Sequence, residues 1–530
     1  MNPLRNAVVV RRTWWLFLVT LGGMSLMDCG GARPGLPTEL TSTLPYDVDI
    51  QKVQTLDATG KIVEAQREFD TLAWQAFLAL NWPATGQGTP DDSKALSDRT
   101  TPRVWQFWRL ASTIFLPNGE RPQPWGTTGT ALGMPSLYRT KAAWRQHTTS
   151  ADENFEAFSG PLVDQNGKWV RYEVLVNREE FDYLLDNELY SQDGQVAFSQ
   201  RPARNQVDFP VNLGTTRHGA IEIKLAWKEM GANDDANRFY TTKVQVTTSE
   251  QTPQEKTIDV GLVGMHIAMH TQSSPEWIWA TFEQVDNSPD SNDNQALSKR
   301  HNFFNPPLSG MPNLLPPTNA TLPDGSKTWY ESLTTKPVQL ERIVVPTQGQ
   351  LNPLDEAIRK STQELNAIVQ ALLKNSNSVF QYYELIGTQW PVHPDAPAFA
   401  GGANSAPESI THKTPGDMVP VFLVNTTMET YFQKGMQPAG PLEQDDRLAD
   451  GSPPIDATVV TGTESCVGCH YSAGICIGFK KNPDGGFLVD NTGHRTPIYG
   501  ENGHFGKTGN AAFSWLLQIE AKGKPYTAGK

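Results

Sequence analysis

Residues 258–271, IDVGLVGMHIAMHT, decide how the middle of this chain folds. They alternate between two faces. Val260, Leu262, Gly264, His266, Ala268 and His270 fall on one, and Gly261, Val263, Met265, Ile267 and Met269 on the other. A period of two predicts a strand. The second set is plain core. The first places two histidines beside a glycine and an alanine, which leave room. Three more segments read as strands: 168–177, which follows the turn signal Asp164-Gln165-Asn166-Gly167, then 220–228 and 238–247. In the first, Arg171 and Glu173 share a face while Val170, Tyr172, Val174 and Val176 point inward; in the second, Glu222, Lys224 and Lys228 share a face. If these strands are neighbours, one sheet face carries Arg171, Glu173, Lys224, His266 and His270. Such a face is either half-solvated or a ligand-binding surface.

Around this β-rich core, 160–290, the pattern changes. Residues 62–80, IVEAQREFDTLAWQAFLAL, carry apolar residues at helical spacing and stop before Asn81-Trp82-Pro83. Residues 104–115 read as a second helix. Residues 286–350, rich in Asn, Pro, Ser and Thr, read as a long surface excursion. Residues 353–374 form the clearest helix, with Pro353 in its first turn, Asp355-Glu356 next and Lys374 at its end. Residues 391–420 are Pro/Gly/Ala loop, and 427–434 read as a short helix. No internal repeat is present. The organisation expected is 1–29 as an export signal, 30–45 as a linker, 46–350 as an α+β body, 351–420 as helix plus loop, and 421–530 as a small C-terminal region.

Composition narrows the function. The chain has 530 residues, 57 acidic and 44 basic, for a net charge of −13. That balance argues against a nucleic-acid binder. Four cysteines in this length exclude a disulfide-built scaffold. The N-terminus reads as an export signal. Arg5, Arg11 and Arg12 precede the uncharged stretch 14–27, WWLFLVTLGGMSLM, which is too short to span a bilayer needing ~20 residues. Residues 26–29, Leu-Met-Asp-Cys, followed by two glycines, resemble a bacterial lipobox with an unfavourable Asp28. Cys29 is thus either lipidated, anchoring the chain at its start, or lost to ordinary signal-peptidase cleavage. Twin-arginine export fits less well, because Trp14 and Trp15 sit badly with that pattern.

The other three cysteines fall close together. Cys466-Val467-Gly468-Cys469-His470 is a CxxCH sequence, the attachment signature of a c-type haem. Two thiols at this spacing reach the two vinyl groups of one porphyrin, and the adjacent histidine falls beneath the iron as proximal ligand. With this many Cys and His, the motif arises by chance in about one such chain in a thousand. Half of a zinc site is the alternative, with His494 or His504 and Cys476 as improvised partners. A thioredoxin-like motif would want a βαβ context, and a Gly/Thr/Pro-rich loop precedes Cys466 instead. Haem attachment occurs outside the cytoplasm, in agreement with the export signal. The cofactor expected is one covalently attached haem c on Cys466, Cys469 and His470. The sixth iron ligand stays open among Met428, His266, His504 and His494, with Met418 and Met436 as further upstream methionines. His266 also stands as a candidate acid/base, and the sheet that bears it as the surface meeting the haem region. Residues 511–519, AAFSWLLQI, read as a helix over the porphyrin edge. Cys476 reads as a buried free thiol, or as a partner for Cys29 if that residue survives processing.

The chain resembles a group of exported bacterial cytochrome c family proteins of unassigned role. The similar stretches are 69–83 (FDTLAWQAFLALNWP), 161–177 (PLVDQNGKWVRYEVLVN), 261–287 (GLVGMHIAMHTQSSPEWIWATFEQVDN), 425–433 and 465–470. The resemblance implies a single C-terminal c-haem in a small, mostly α-helical, cytochrome c-like region, and a periplasmic or otherwise extracytoplasmic location. It supplies no substrate. Three functions follow as expectations: a monohaem cytochrome that transfers single electrons to a redox partner; a haem-dependent oxidoreductase with an open iron site facing the β-rich body; or a non-catalytic haem-containing binding lipoprotein. A carrier needs only about 100 residues, so the body must do something more.

Overall fold

The computed structural model describes residues 39–126, 162–247, 255–306, 312–313, 320–321, 327–328, 337–344, 353–392, 418–420, 423–430, 466–470, 473–490, 493–500 and 509–526. All belong to one unit, Pro37–Lys530. The export signal, Cys29, Met436 and His504 lie outside the described residues. No described helix is long and apolar enough to cross a membrane.

The fold is α+β, built on an antiparallel sheet. Its strands are β1 (Arg109–Leu110), β2 (Arg171–Val176), β3 (Ile221–Glu229), β4 (Thr241–Thr247), β5 (Glu255–Thr271), β6 (Ser274–Gln284), β9 (Tyr383–Pro391) and β10 (Met418–Val419). The order is β1-β2-β3-β5-β6-β9-β10, with β4 pairing the first half of β5. Two small hairpins, β7 (Ala320–Thr321) with β8 (Lys327–Thr328) and β11 (Cys476–Phe479) with β12 (Pro497–Tyr499), stand apart. The helices are α1 (Ile50–Ala58), α2 (Ile62–Leu80), α3 (Arg178–Asp186), α4 (Gln192–Ser199), α5 (Pro353–Asn375), α6 (Cys466–His470) and α7 (Leu516–Ile519).

Helices α2 and α5 cover one face of the sheet. The spacing of Phe69, Leu72, Ala73, Ala76, Phe77 and Leu80 puts all six on one stripe of α2, and all are buried. Phe77 stacks on Phe282 of β6 with ring centroids 4.3 Å apart, and Phe69 stacks on Trp390 of β9 at 4.3 Å. Between the two helices, Trp74 Nε1 donates to Asn366 Oδ1 at 2.9 Å and Thr362 Oγ1 to Asp70 Oδ2 at 2.7 Å. Asn81 ends α2: its side-chain amide donates to the Phe77 carbonyl at 2.9 Å, and Pro83 follows.

Several sequence expectations need correction. Residues 104–115 are not one helix. They form a 3₁₀ turn, the two-residue β1 and a second 3₁₀ turn, because Arg109 and Leu110 pair with Val176 and Leu175. The excursion at 286–350 is not wholly at the surface: Asn287, Phe303, Val338 and Leu340 are buried, the last three in a core cluster with Tyr172 and Val263. Of 427–434 the described residues are turn and bend at 427–429 and 3₁₀ at Thr430, and 431–434 lie outside the described residues. At 511–519 only Leu516–Ile519 is helical, because Ala512 and Phe513 have φ of 48° and 69°. In 421–530 the described regular elements are two short helices and a hairpin.

The assumed sheet face also splits. Register places Val174 opposite Lys224 and Lys224 opposite His266, whereas Glu173 lies opposite Leu225. Cross-strand partners share a face. Arg171 and Glu173 are therefore on the side away from Lys224 and His266. Glu173 is buried there and accepts from Trp227 Nε1 at 3.0 Å. Both faces of this sheet are covered, so alternation of polar residues does not mark solvent. Lys228 stays in step with Lys224 and Ala226 along β3, because the register shift between Ala226 and Trp227 adds its extra residue, Val263, to β5. Lys228 is buried beside Asp234, 2.6 Å away, and Asp164, 3.5 Å away.

Candidate functional site

The second sheet face is polar and carries the C-terminal region. Three rows of cross-strand partners build it. The first runs Arg109, Val176, Glu222, Ala268, Trp279, Gln389; the second Val174, Lys224, His266, Thr281, Gly387; the third Tyr172, Ala226, Gly264, Glu283, Glu384.

The CxxCH motif sits over the first row as helix α6. Gln389 Oε1 accepts from the Val467 amide at 2.9 Å, satisfying one of the orphan donors that open any helix. Gln389 Nε2 donates to the Pro420 carbonyl at 2.7 Å. Val467 is fully buried, in a cluster with Ala268, Trp279 and Met418. Cys466 is half-buried and packs against that cluster.

His470 is fixed by two contacts. Its ring lies 4.3 Å from the Trp279 ring, centroid to centroid. Its Nδ1 stands 2.7 Å from the Phe513 carbonyl, which can only accept, so Nδ1 carries the proton and Nε2 keeps its lone pair. This is the arrangement by which a metal-ligating histidine is usually oriented from behind. Burial drives the His470 pKa down to about 4; the Phe513 carbonyl opposes this, while Lys224 and His266 add to it. The ring is neutral at physiological pH, the form that ligates a metal.

The second and third rows hold segment 425–430. Gly264 makes room, since a Cβ there would lie 2.3 Å from Thr427 Oγ1. Tyr172 donates its hydroxyl to the Thr427 carbonyl at 2.6 Å, and Asn425 Nδ2 donates to Thr281 Oγ1 at 2.9 Å. Buried Glu283 accepts from the Thr426 amide at 2.6 Å and from the Thr426 hydroxyl, and is paired with Arg342 Nη1 at 3.0 Å. The segment thus delivers Glu429 to His266: Glu429 Oε2 accepts from the Asn425 amide at 2.8 Å and stands 3.5 Å from His266 Nε2. His266 Nε2 is buried and makes no hydrogen bond within the described residues. Burial acts to raise the Glu429 pKa, but His266, Lys224 and the Asn425 amide together hold it below the usual carboxylate range.

Of the ligand candidates, His266 alone among the described ones acts electrostatically on His470. Met428 is fully buried in the core cluster of Tyr172, Phe303 and Leu340, not in that of the CxxCH helix. Met418 does share the cluster of Val467. His494 is tied to Asp490, its amide donating to Asp490 Oδ1 at 2.9 Å. His270 is buried between the Pro210 and Pro275 carbonyls, 3.4 and 3.2 Å from its ring nitrogens. The Cys476 thiol is buried, donates to the Gly478 carbonyl at 3.2 Å, and is pushed up to about 11 by burial. No group of three His, Cys, Asp or Glu among the described residues is arranged to hold a metal ion.

Sequence reasoning missed Trp279, Gln389, Glu429 and Phe513. Only Glu429 left a local signal: Asn425-Thr426-Thr427 is turn chemistry, and the Asn425 side chain accepts from the Thr427 amide at 2.9 Å.

The donor set fits a c-haem. The motif histidine has its tautomer fixed with Nε2 available, the Cys466 thiol is on the same short helix, and a second buried imidazole nitrogen without a hydrogen bond lies in the same electrostatic neighbourhood. No protein-family model, curated protein or solved structure matches the chain.

Proposed function

We propose that the chain is an exported c-type cytochrome that carries one covalent haem and passes one electron at a time to a redox partner protein. The observation that carries this reading is the CVGCH helix, whose His470 donates its Nδ1–H to the Phe513 carbonyl in a hydrogen bond and so keeps the Nε2 lone pair available for iron. Cys466 and Cys469 would hold the haem by thioethers, and His470 would be its proximal ligand. Bound there, haem iron supplies reversible one-electron chemistry. Trp279 fixes the plane of the His470 ring. His266 would be the sixth ligand, with Glu429 Oε2 standing 3.5 Å from its Nε2. A cytochrome c-like fold for 421–530 and an extracytoplasmic location belong to the same proposal.

A second reading rests on the His266–Glu429 pair. With the sixth position open, that pair becomes a proton donor and acceptor beside the iron, and the protein an oxidoreductase.

The test is the protein matured in a host with working c-haem assembly. A six-coordinate, low-spin ferric spectrum that turns high-spin in His266→Ala supports the first reading. A high-spin wild-type spectrum that shifts on adding peroxide or cyanide supports the second. A spectrum unchanged by His266→Ala removes His266, and a chain without covalent haem overturns both.

A further inference from the structure

Two buried glutamates lie on the proposed haem side of the sheet. Glu222 projects from β3 in the row of Ala268 and Trp279. Glu180 is in the first turn of α3, which starts one residue after β2 with Asn177 as its cap; Asn177 Oδ1 accepts from the Glu180 amide at 3.1 Å. Glu180 is fully buried and Glu222 is 8% exposed. Both Glu180 oxygens and Glu222 Oε1 are sealed from solvent with no hydrogen-bond donor among the described residues. Each carboxyl group acts on the ionisation of the other.

The surrounding charges do not relieve them. Arg109, in the same row, sends Nη2 to the Thr113 and Gln123 carbonyls, each at 3.2 Å, and its guanidinium lies over the Phe181 ring. Lys224, two residues along β3, lies over the Tyr172 ring and acts on Glu429. On α3 itself, Arg178 pairs with Asp182, and Glu179 is influenced by Asp182, Arg178 and Arg217. On β5, His266 stands by Glu429 and His270 lies between backbone carbonyls. From the C-terminal region the Ser514 hydroxyl, which makes no hydrogen bond among the described residues, acts on Glu222. Two carboxylates in contact and out of water cannot both ionise, so the pair holds a proton. Burial first, and then the neighbouring carboxyl, pushes Glu180 well above the carboxylate range.

The pair is also next to the proposed haem ligand in the chain of contacts. Ser514 follows Phe513, whose carbonyl accepts the hydrogen bond from His470 Nδ1. We propose that Glu180 and Glu222 are a redox-linked proton site: the pair holds one proton when the iron is ferric and takes a second from solvent when the iron is reduced. The balance is one electron from the reductant to iron and one proton from solvent to the pair. Reoxidation returns the proton. The added electron is thereby neutralised inside the protein, and this is one task a large body serves that a minimal carrier cannot.

This inference rests on the haem reading above, and one experiment separates the two. The purified matured protein is assayed for covalent haem, then reduced with dithionite in an infrared cell, and its reduction potential is measured from pH 5 to 9. The expected result is a protonated-carboxyl C=O band that grows on reduction and shifts in D₂O. The reduction equilibrium should then change by up to about tenfold per pH unit. Glu180→Gln and Glu222→Gln, close to isosteric, each remove the redox-linked part of the band and flatten the pH dependence. A haem-bearing wild-type protein with no carboxyl band change and a pH-independent potential overturns the proton site and leaves the cytochrome reading standing. A protein without haem overturns both. In that haem-free chain, a neutral-pH carboxyl band lost in Glu180→Gln still shows the shared proton as a static feature.

Discussion

The two faces of the central sheet obey different rules. The face under α2 and α5 is closed by large apolar side chains, Phe69, Trp74, Phe77, Phe282 and Trp390, with a few polar groups paired one to one. The opposite face carries Glu222, Lys224, His266, Thr281 and Glu283, covered by a turn and short helices rather than by long ones. A sheet needs only the first kind of cover to be stable. Burying charge beneath irregular backbone costs stability unless every group is paired, so the second face is where function is expected.

That contrast can be broken by substitution. The largest stability effect belongs to the apolar face. Phe77→Ala empties a site between Phe282 and Phe380 and should cost about 3–5 kcal/mol in urea unfolding, with haem content per folded molecule unchanged. A haem deficit that persists in the folded fraction would couple the two faces and contradict the division.

Next is Asp70, between α2 and α5. Burial raises its pKa to about 6, against the opposing hydrogen bonds of Thr362 and Gln66. A raised carboxyl pKa means that the folded state holds the proton more tightly than the unfolded one. Its stabilising contribution is complete below pH ~4 and is lost as pH rises to about 6, on the order of 3 kcal/mol in all. Asp70→Asn should flatten the stability profile over that window; an unchanged slope would mean that Asp70 ionises as it does in the unfolded chain.

On the polar face, Glu283→Gln weakens the clamp on segment 425–430 and leaves Arg342 less well paired. It should cost about 1–3 kcal/mol and speed hydrogen exchange at the Thr426 amide. Gln389→Ala is the smallest change, about 1 kcal/mol, through the lost bonds to Val467 and Pro420. Its signature is a lower yield of haem attachment, with the unfolding of the apolar face unaltered.

The apolar face was the more legible in the sequence. Residues 62–80 and 353–374 carry regular helical periodicity, and the helices fall at Ile62–Leu80 and Pro353–Asn375. Strands at 168–177, 220–228 and 258–271 were legible for the same local reason. Strands β6 and β9 were not, since SPEWIWATFEQ and YELIGTQWP are buried on both faces and lose their alternation. The face assignment of Glu173 failed because register is a pairing property, and alternation within one strand cannot reveal it. The site divides in the same way. Cys466, Cys469 and His470 are adjacent in sequence and their chemistry is written in their spacing. Phe513 acts through a backbone carbonyl, which no residue type announces. The Glu180–Glu222 pair joins a helix to a strand, and nothing in either segment predicts the meeting.

The most direct measurement is the intact mass of the matured, purified protein alongside Cys466→Ser and Cys469→Ser, with a pyridine haemochrome spectrum of each. One covalent haem per wild-type chain, with a two-thioether spectrum that is lost or altered in each variant, is the predicted result. An unmodified wild-type mass after expression with functional c-haem assembly contradicts the account.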